Sequence, residues 1–205
     1  MTLQKGALPI ATNKKLWLAS ASPRRFDLLT QLGISPDKIV PSDIDETPLP
    51  FERPSVYAKR MAQEKCQAIS AQVQDKAQAE NLVILAADTV VAVGRRILPK
   101  AETADEALAC LTLLSGRAHR VYTAVAVLQG DYEGLKLVQS RVHMKYLSTE
   151  EIKTYLASQE WQGKAGGYAI QGLAAAFVKR IQGSYSGIVG LPLFETNSLL
   201  RAAGY

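Results

Sequence analysis

The chain has 205 residues, 47% hydrophobic and 21% charged, which describes an ordinary soluble globule of one α/β domain or two small lobes sharing one sheet. No apolar run reaches transmembrane length, the first fifteen residues lack the apolar stretch of a secretory signal, and Cys66, Cys110 and two distant histidines offer no metal-spaced group, so no membrane partner and no zinc site are expected and the cytoplasm is the default. The net charge of +5 asks for an anionic partner; without a basic run interleaved with aromatics this is not expected to be nucleic acid, and single basic residues at loop mouths suit a triphosphate better.

Residues 1–14 read as a loose leader and 15–205 as a single domain. Leu16–Ala19 is strand-like, and a helix with Phe26, Leu28, Leu29 and Leu32 follows Pro23 and ends at Gly33. Lys38–Val40 reads as a short strand before the acidic turn Asp43-Ile44-Asp45-Glu46. After a loop with Pro48, Pro50 and Pro54, Ser55 is expected to cap a helix running to about Val73, with Ala58, Met61, Ala62, Cys66 and Ile69 as its apolar stripe. Leu82–Ala87 reads as a central strand covered on both faces and ending at Asp88-Thr89, with extended chain again over Val90–Val93. Capping boxes at Thr103/Glu106 and Ser148/Glu151 open two helices, the first burying Ala107, Leu108, Leu111 and Leu114. Between them Val121–Val127 and Leu135–Tyr146 form a hairpin turning over Gly130–Gly134. A glycine-rich loop, a strand through Phe177-Val178, a second glycine-rich loop and a helix entered at Pro192 complete the chain.

Ser20-Ala21-Ser22-Pro23-Arg24-Arg25 reads as an anion site, because hydroxyls, open N–H groups, a helix N-terminus and two guanidiniums all favour phosphate. A capped helix with two solvated arginines is the plainer alternative. Asp88 puts a carboxylate at the rim of the sheet, where open α/β folds bind ligands. Lys65 falls inside the apolar stripe of its helix, which means either a snorkelling stem or an ammonium aimed into a cleft. His119, alone at a strand entrance, receives no catalytic role. Ser184 and its flanking glycines suit either substrate contact or tight turns.

Five blocks in order resemble the Maf family of nucleotide pyrophosphatases: the Ser20–Arg25 segment, Asp45-Glu46, Ala86–Val91, Leu114–Thr123, and a C-terminal block containing Lys164–Gly172 and Gly183–Leu193. The resemblance implies an elongated, mixed, twisted sheet flanked by helices in two lobes around a cleft, the fold of the inosine triphosphate pyrophosphatases. It implies hydrolysis of a nucleoside triphosphate to a monophosphate and pyrophosphate by metal-assisted attack of water on the α-phosphorus. Asp88 becomes the proton acceptor, and Glu46 with Asp88 the holder of a magnesium or manganese ion. Ser20, Ser22, Arg24, Arg25, Lys65 and Lys100 become phosphate-binding residues, although Pro99-Lys100-Ala101 stands where glycine-lysine-proline is usual. Arg24, Thr89 and Gln171 correspond to the family's substrate-choice positions, and a glutamine matches the subgroup acting on dTTP and UTP. Its amide offers a donor and an acceptor, complementary to O4 and N3–H of uracil or thymine. A loop amide tying down its own backbone is the alternative for Gln171. A homodimer is a family expectation, and a role in arrest of septum formation or action on modified nucleotides are the other functions the resemblance leaves open.

Overall fold

A computed structural model describes residues 13–73 and 80–205. Its strands are β1 (Lys15–Ala19), β2 (Lys38–Ile39), β3 (Leu82–Val93), β4 (Arg96–Leu98), β5 (Lys100–Ala101), β6 (Ala118–Gln129), β7 (Tyr132–Met144), β8 (Lys164–Ala165) and β9 (Val178–Gln182). Its helices are α1 (Pro23–Gln31), α2 (Pro54–Ser70), α3 (Ala104–Leu114), α4 (Thr149–Ala157), α5 (Tyr185–Val189) and α6 (Leu193–Ala202), with a 3-10 turn over Leu173–Phe177. Of the leader expected over 1–14, residues 1–12 lie outside the described residues; the Lys14 ammonium donates to the Ala203 carbonyl at 2.6 Å.

Seven strands form one sheet in the order β2-β1-β3-β6-β7-β9, with β4 added on β3, while β5 and β8 pair separately. β1 lies parallel to β2 and β3, and the remaining pairs are antiparallel, so the sheet is mixed and flanked by helices, as expected. Its decisive feature is a gap along one edge of β3. β1 pairs with β3 only as far as Ala19↔Ala86, and β4 takes up the same edge only from Val91↔Leu98. Between those registers no strand of the described residues lies beside the β1 edge of β3, and there stand Asp88 and Thr89. The other edge stays paired throughout with β6, through Asp88↔Ala124 and Thr89↔Thr123.

Strand alternation sends successive β3 side chains to opposite faces. Ile84, Ala86, Val90 and Ala92 pack with Ala58, Met61, Ala62, Cys66 and Ile69 of α2 on one face. Leu85, Ala87 and Val91 join the larger core on the other face, with Leu28 and Leu29 of α1, Leu111 and Leu114 of α3, and Leu199 and Leu200 of α6. Among the described residues no helix is long and apolar enough to cross a membrane.

Several expected boundaries are corrected. β3 does not end at Asp88 but runs unbroken to Val93, because β6 pairs it from Ile84 to Ala92 and β4 from Val91 to Val93; what ends near Asp88 is the partner strand β1. α2 starts at Pro54 after Arg53 rather than at a Ser55 cap, since proline preset in φ suits the first helical position, and it stops at Ser70. Leu108 is 42% exposed, and Cys110 takes its place on the buried face of α3. The hairpin turns over Gly130-Asp131 alone, with Gln129 facing Tyr132 and Gly130 at φ 53°, so Gly134 belongs to β7. Phe177 closes the 3-10 turn, β9 begins at Val178, and the second glycine-rich loop contains α5, capped by Ser184. Both capping boxes form.

Candidate active site

The gap in the sheet opens into a cleft of about 700 Å³ that reaches both faces. The residues expected to serve catalysis, phosphate binding and substrate choice line it, namely Ser20, Ser22, Arg24, Arg25, Glu46, Lys65, Asp88, Thr89, Lys100 and Gln171, whereas Ser184 does not and caps α5 instead. β1 delivers Ala19 and Ser20 to the rim, the first turn of α1 carries Arg24 and Arg25, and the β5–β8 ribbon carries Lys100.

On the α2 face an acid–base chain crosses the cleft wall. Lys65, 5% exposed, donates to Asp88 Oδ1 at 2.7 Å and pairs with Glu46 Oε1 at 2.8 Å. Lys100 pairs with the second Glu46 oxygen. The lysine inside the apolar stripe therefore points into the cleft and does not snorkel. Asp88 is 3% exposed, and only its Oδ1 is bonded by a described residue. Taking such charges out of water is costly unless each is paired, and here an ammonium sits between two carboxylates. Burial alone would raise the Glu46 carboxyl, but hydrogen bonds from Lys100 and Lys65 outweigh it and hold it down at about 2. Asp45, its neighbour, accepts from the Thr47 N–H at 2.9 Å and is a turn residue.

The opposite face is organised by Arg25. Its guanidinium donates to Gly190 O at 2.9 Å, Ser20 Oγ at 2.8 Å and Thr89 Oγ1 at 3.4 Å. Thr123 Oγ1 in turn donates to Gly187 O at 2.7 Å and lies 3.3 Å from Thr89 Oγ1. Arg25 is thus a strut between β1, β3 and α5, its fork occupied by protein acceptors rather than held open. Burial lowers its pKa, only partly offset by the nearby Asp88 carboxylate. Arg24 differs, because no described carboxylate reaches its guanidinium, and burial lowers its pKa as well. Ser20 Oγ also accepts the Ser22 N–H at 3.2 Å, closing the turn that leads into α1.

Lys164, Tyr168 and Glu160 are among the lining residues to which the sequence assigned no role. Lys164 on β8 is shifted down by burial and then by the Arg24 charge, so the two cations face the same space; its place at the head of the Lys164–Gly172 block was a usable signal. Tyr168 sits inside that block, whereas Glu160 belongs to no pattern in the sequence. Gly166 has φ +70°, and a Cβ there would lie 2.8 Å from Val91 Cγ1, so only glycine lets this loop close over β3.

The donor chemistry suits a divalent cation. Glu46 and Asp88 already converge on one cation, the Lys65 ammonium, and supply hard oxygens. Among the described residues no group of three or more histidine, cysteine, aspartate or glutamate side chains forms a complete cage. Two carboxylates with substrate phosphates as further ligands is how magnesium is commonly held.

Comparison with known proteins adds three findings. The family model described as Maf-like protein matches residues 15–203. Among similar proteins, a dTTP/UTP pyrophosphatase of Mesorhizobium japonicum is 55% identical over 193 residues, 94% of this chain and 93% of that protein. A dTTP/UTP pyrophosphatase of Rhodopseudomonas palustris is 56% identical over 193 residues, 93% of each chain. Among solved structures, a HAM1 protein from Coxiella burnetii aligns with a TM-score of 0.50 at 14% identity, covering 92% of this chain and 99% of that one, a likeness of fold alone.

Proposed function

The chain belongs to the Maf family, and from that premise we propose that it hydrolyses dTTP and UTP to nucleoside monophosphate and pyrophosphate. The observation that supports this most is the pairing of Asp88 with Lys65 in the gap of the sheet, a buried carboxylate held beside a cation in a cleft with further positive charge. Water attacks the α-phosphorus, and Asp88 accepts its proton through the oxygen that Lys65 leaves free. The bond from the α-phosphorus to the bridging oxygen breaks, and that oxygen leaves with the electron pair as part of pyrophosphate. Lys65 orients Asp88 through its hydrogen bond to Oδ1. Lys100 and Arg24 offset charge on the phosphates, while Ser20 and Ser22, braced by Arg25, shape the turn they rest on. Such preorganised charge is the main device for phosphoryl transfer. A magnesium or manganese ion, when bound, would be held by Glu46 and Asp88 and would supply charge neutralisation and a more acidic water. Gln171 reads the base with its amide, sharing substrate choice with Arg24 and Thr89.

The same reading takes residues 15–205 as one catalytic domain, a cytoplasmic homodimer whose partner is a nucleotide rather than nucleic acid or a membrane. The test is pyrophosphate release from UTP, dTTP, CTP, GTP and ATP with magnesium. UTP and dTTP should be the best substrates, and a preference for purine nucleotides, or no release from any, would overturn the proposal.

A further inference from the structure

The loop that carries Gln171 is fastened from behind at three points. Tyr168, 5% exposed, shares a 2.8 Å hydrogen bond between its hydroxyl and His119 Nε2, with the rings edge-on at 83° and centroids 5.4 Å apart. The next N–H, of Ala169, donates to the Tyr155 hydroxyl at 3.0 Å. Beyond Gln171, the Leu173 N–H donates to Glu160 Oε2 at 2.8 Å. Gly172 lacks a side chain for a steric reason, since a Cβ there would lie 2.0 Å from that same carboxylate oxygen.

The reaction described above uses neither His119 nor Glu160. His119 is 2% exposed at the start of β6, and its Nδ1 is buried without a partner among the described residues. Burying an imidazole with one nitrogen unsatisfied is unfavourable, so its single bond to Tyr168 calls for an explanation. Burial, followed by the nearby His143, pushes its pKa down to about 4, which leaves the ring neutral at neutral pH.

We propose that His119 and Glu160 are positioning residues for base choice, fixing through Tyr168 and through Leu173 the backbone on either side of Gln171. This inference rests on Gln171 as the reader of the base. An amide exchanges donor for acceptor when it flips, and cytosine presents the pattern inverse to that of uracil. Discrimination between the two therefore depends on the amide being offered at one position; a loosened loop lets the flipped amide find a second fit.

The test measures the ratio of kcat/KM for UTP to that for CTP, together with Tm, in Tyr168→Phe, His119→Phe, their double variant, Glu160→Ala and Glu160→Gln. Tyr168→Phe, His119→Phe and the double should lower the ratio to one common value, about tenfold below the parent, as expected if they remove the same hydrogen bond. Glu160→Ala should lower it similarly, and Glu160→Gln, whose amide oxygen still accepts from Leu173, should restore it. An unchanged ratio in folded Tyr168→Phe and Glu160→Ala, with only Tm or turnover of both substrates reduced, would make these residues structural and overturn the proposal. Gln171→Glu separates the two readings. A shifted ratio there beside unshifted anchors defeats only the positioning role, whereas an unshifted ratio in Gln171→Glu defeats base reading by Gln171 and the positioning role with it.

Discussion

Asp88→Asn keeps the size of the side chain and removes its charge, and its two consequences can be read separately. For stability, Asp88 and Lys65 form a buried pair at 2.7 Å, 3% and 5% exposed. Stripping one partner from such a pair commonly costs about 3–5 kcal/mol because a bare charge remains. Here Lys65 keeps Glu46 at 2.8 Å, and the asparagine carbonyl still accepts from the ammonium. The loss therefore reduces to a weakened charged hydrogen bond, about 1–2 kcal/mol. In a chain of 205 residues that lowers Tm by about 2–8 °C. For catalysis, an amide takes up no proton at neutral pH, and removing a general base costs about 10²–10⁴ in rate. The group acts in the transition state, so kcat and kcat/KM should fall together with KM nearly unchanged. Pyrophosphate release at varied UTP concentration, beside a thermal melt, measures both. Near-parental turnover in the folded variant would refute Asp88 as the proton acceptor.

Gln171→Glu removes the donor that meets O4 and adds a negative charge, and should cost about 1–3 kcal/mol in kcat/KM for UTP and dTTP relative to GTP; an unchanged ranking over the four triphosphates refutes the role. Activity should require magnesium or manganese and vanish with EDTA at unchanged Tm, since the Glu46–Asp88 pair is braced by Lys65 in its absence; full activity after exhaustive chelation, or a sharp fall in Tm, counts against it. The Glu46 carboxyl is depressed from 4.5 to about 2, so its contribution to stability is present above its unfolded value and is lost as pH falls through about 2. The urea midpoint of Glu46→Gln should accordingly lie below the parent's at neutral pH and merge with it toward pH 2, while the acid-sensitive His119 is common to both and cancels. Gly166→Ala forces a Cβ against Val91 at φ +70° and should lower Tm by several degrees with weakened turnover.

Much of this molecule is legible before folding is considered. Capping boxes at Thr103 and Ser148, the apolar stripe of α2 and the run Leu82–Ala87 are local patterns, and local patterns report secondary structure because the helix and strand periods act over a few residues. The sequence also marked out the residues that meet in the cleft, through blocks in which polar side chains and glycines interrupt apolar runs. It misjudged what depends on partners far along the chain. The apolar run of β3 stops at Asp88, which suggests an end there, yet β6 pairs that strand as far as Ala92 and β4 pairs it at Val93.

Composition and spacing by themselves determined that this chain is an α/β protein with a turn rich in hydroxyls and arginines after its first strand and a carboxylate on a central strand. Only the tertiary structure decided that β1 leaves β3 at Ala86 and β4 joins it at Val91, which opens the sheet at Asp88. It decided too that Lys65, 23 residues away on α2, closes on that carboxylate, and that Arg25 is occupied as a strut by Gly190, 165 residues distant. Periodicity carries the direction in which a side chain leaves its own element. What it meets there is set by how separate elements pack, and a burial pattern read along one segment holds no record of that.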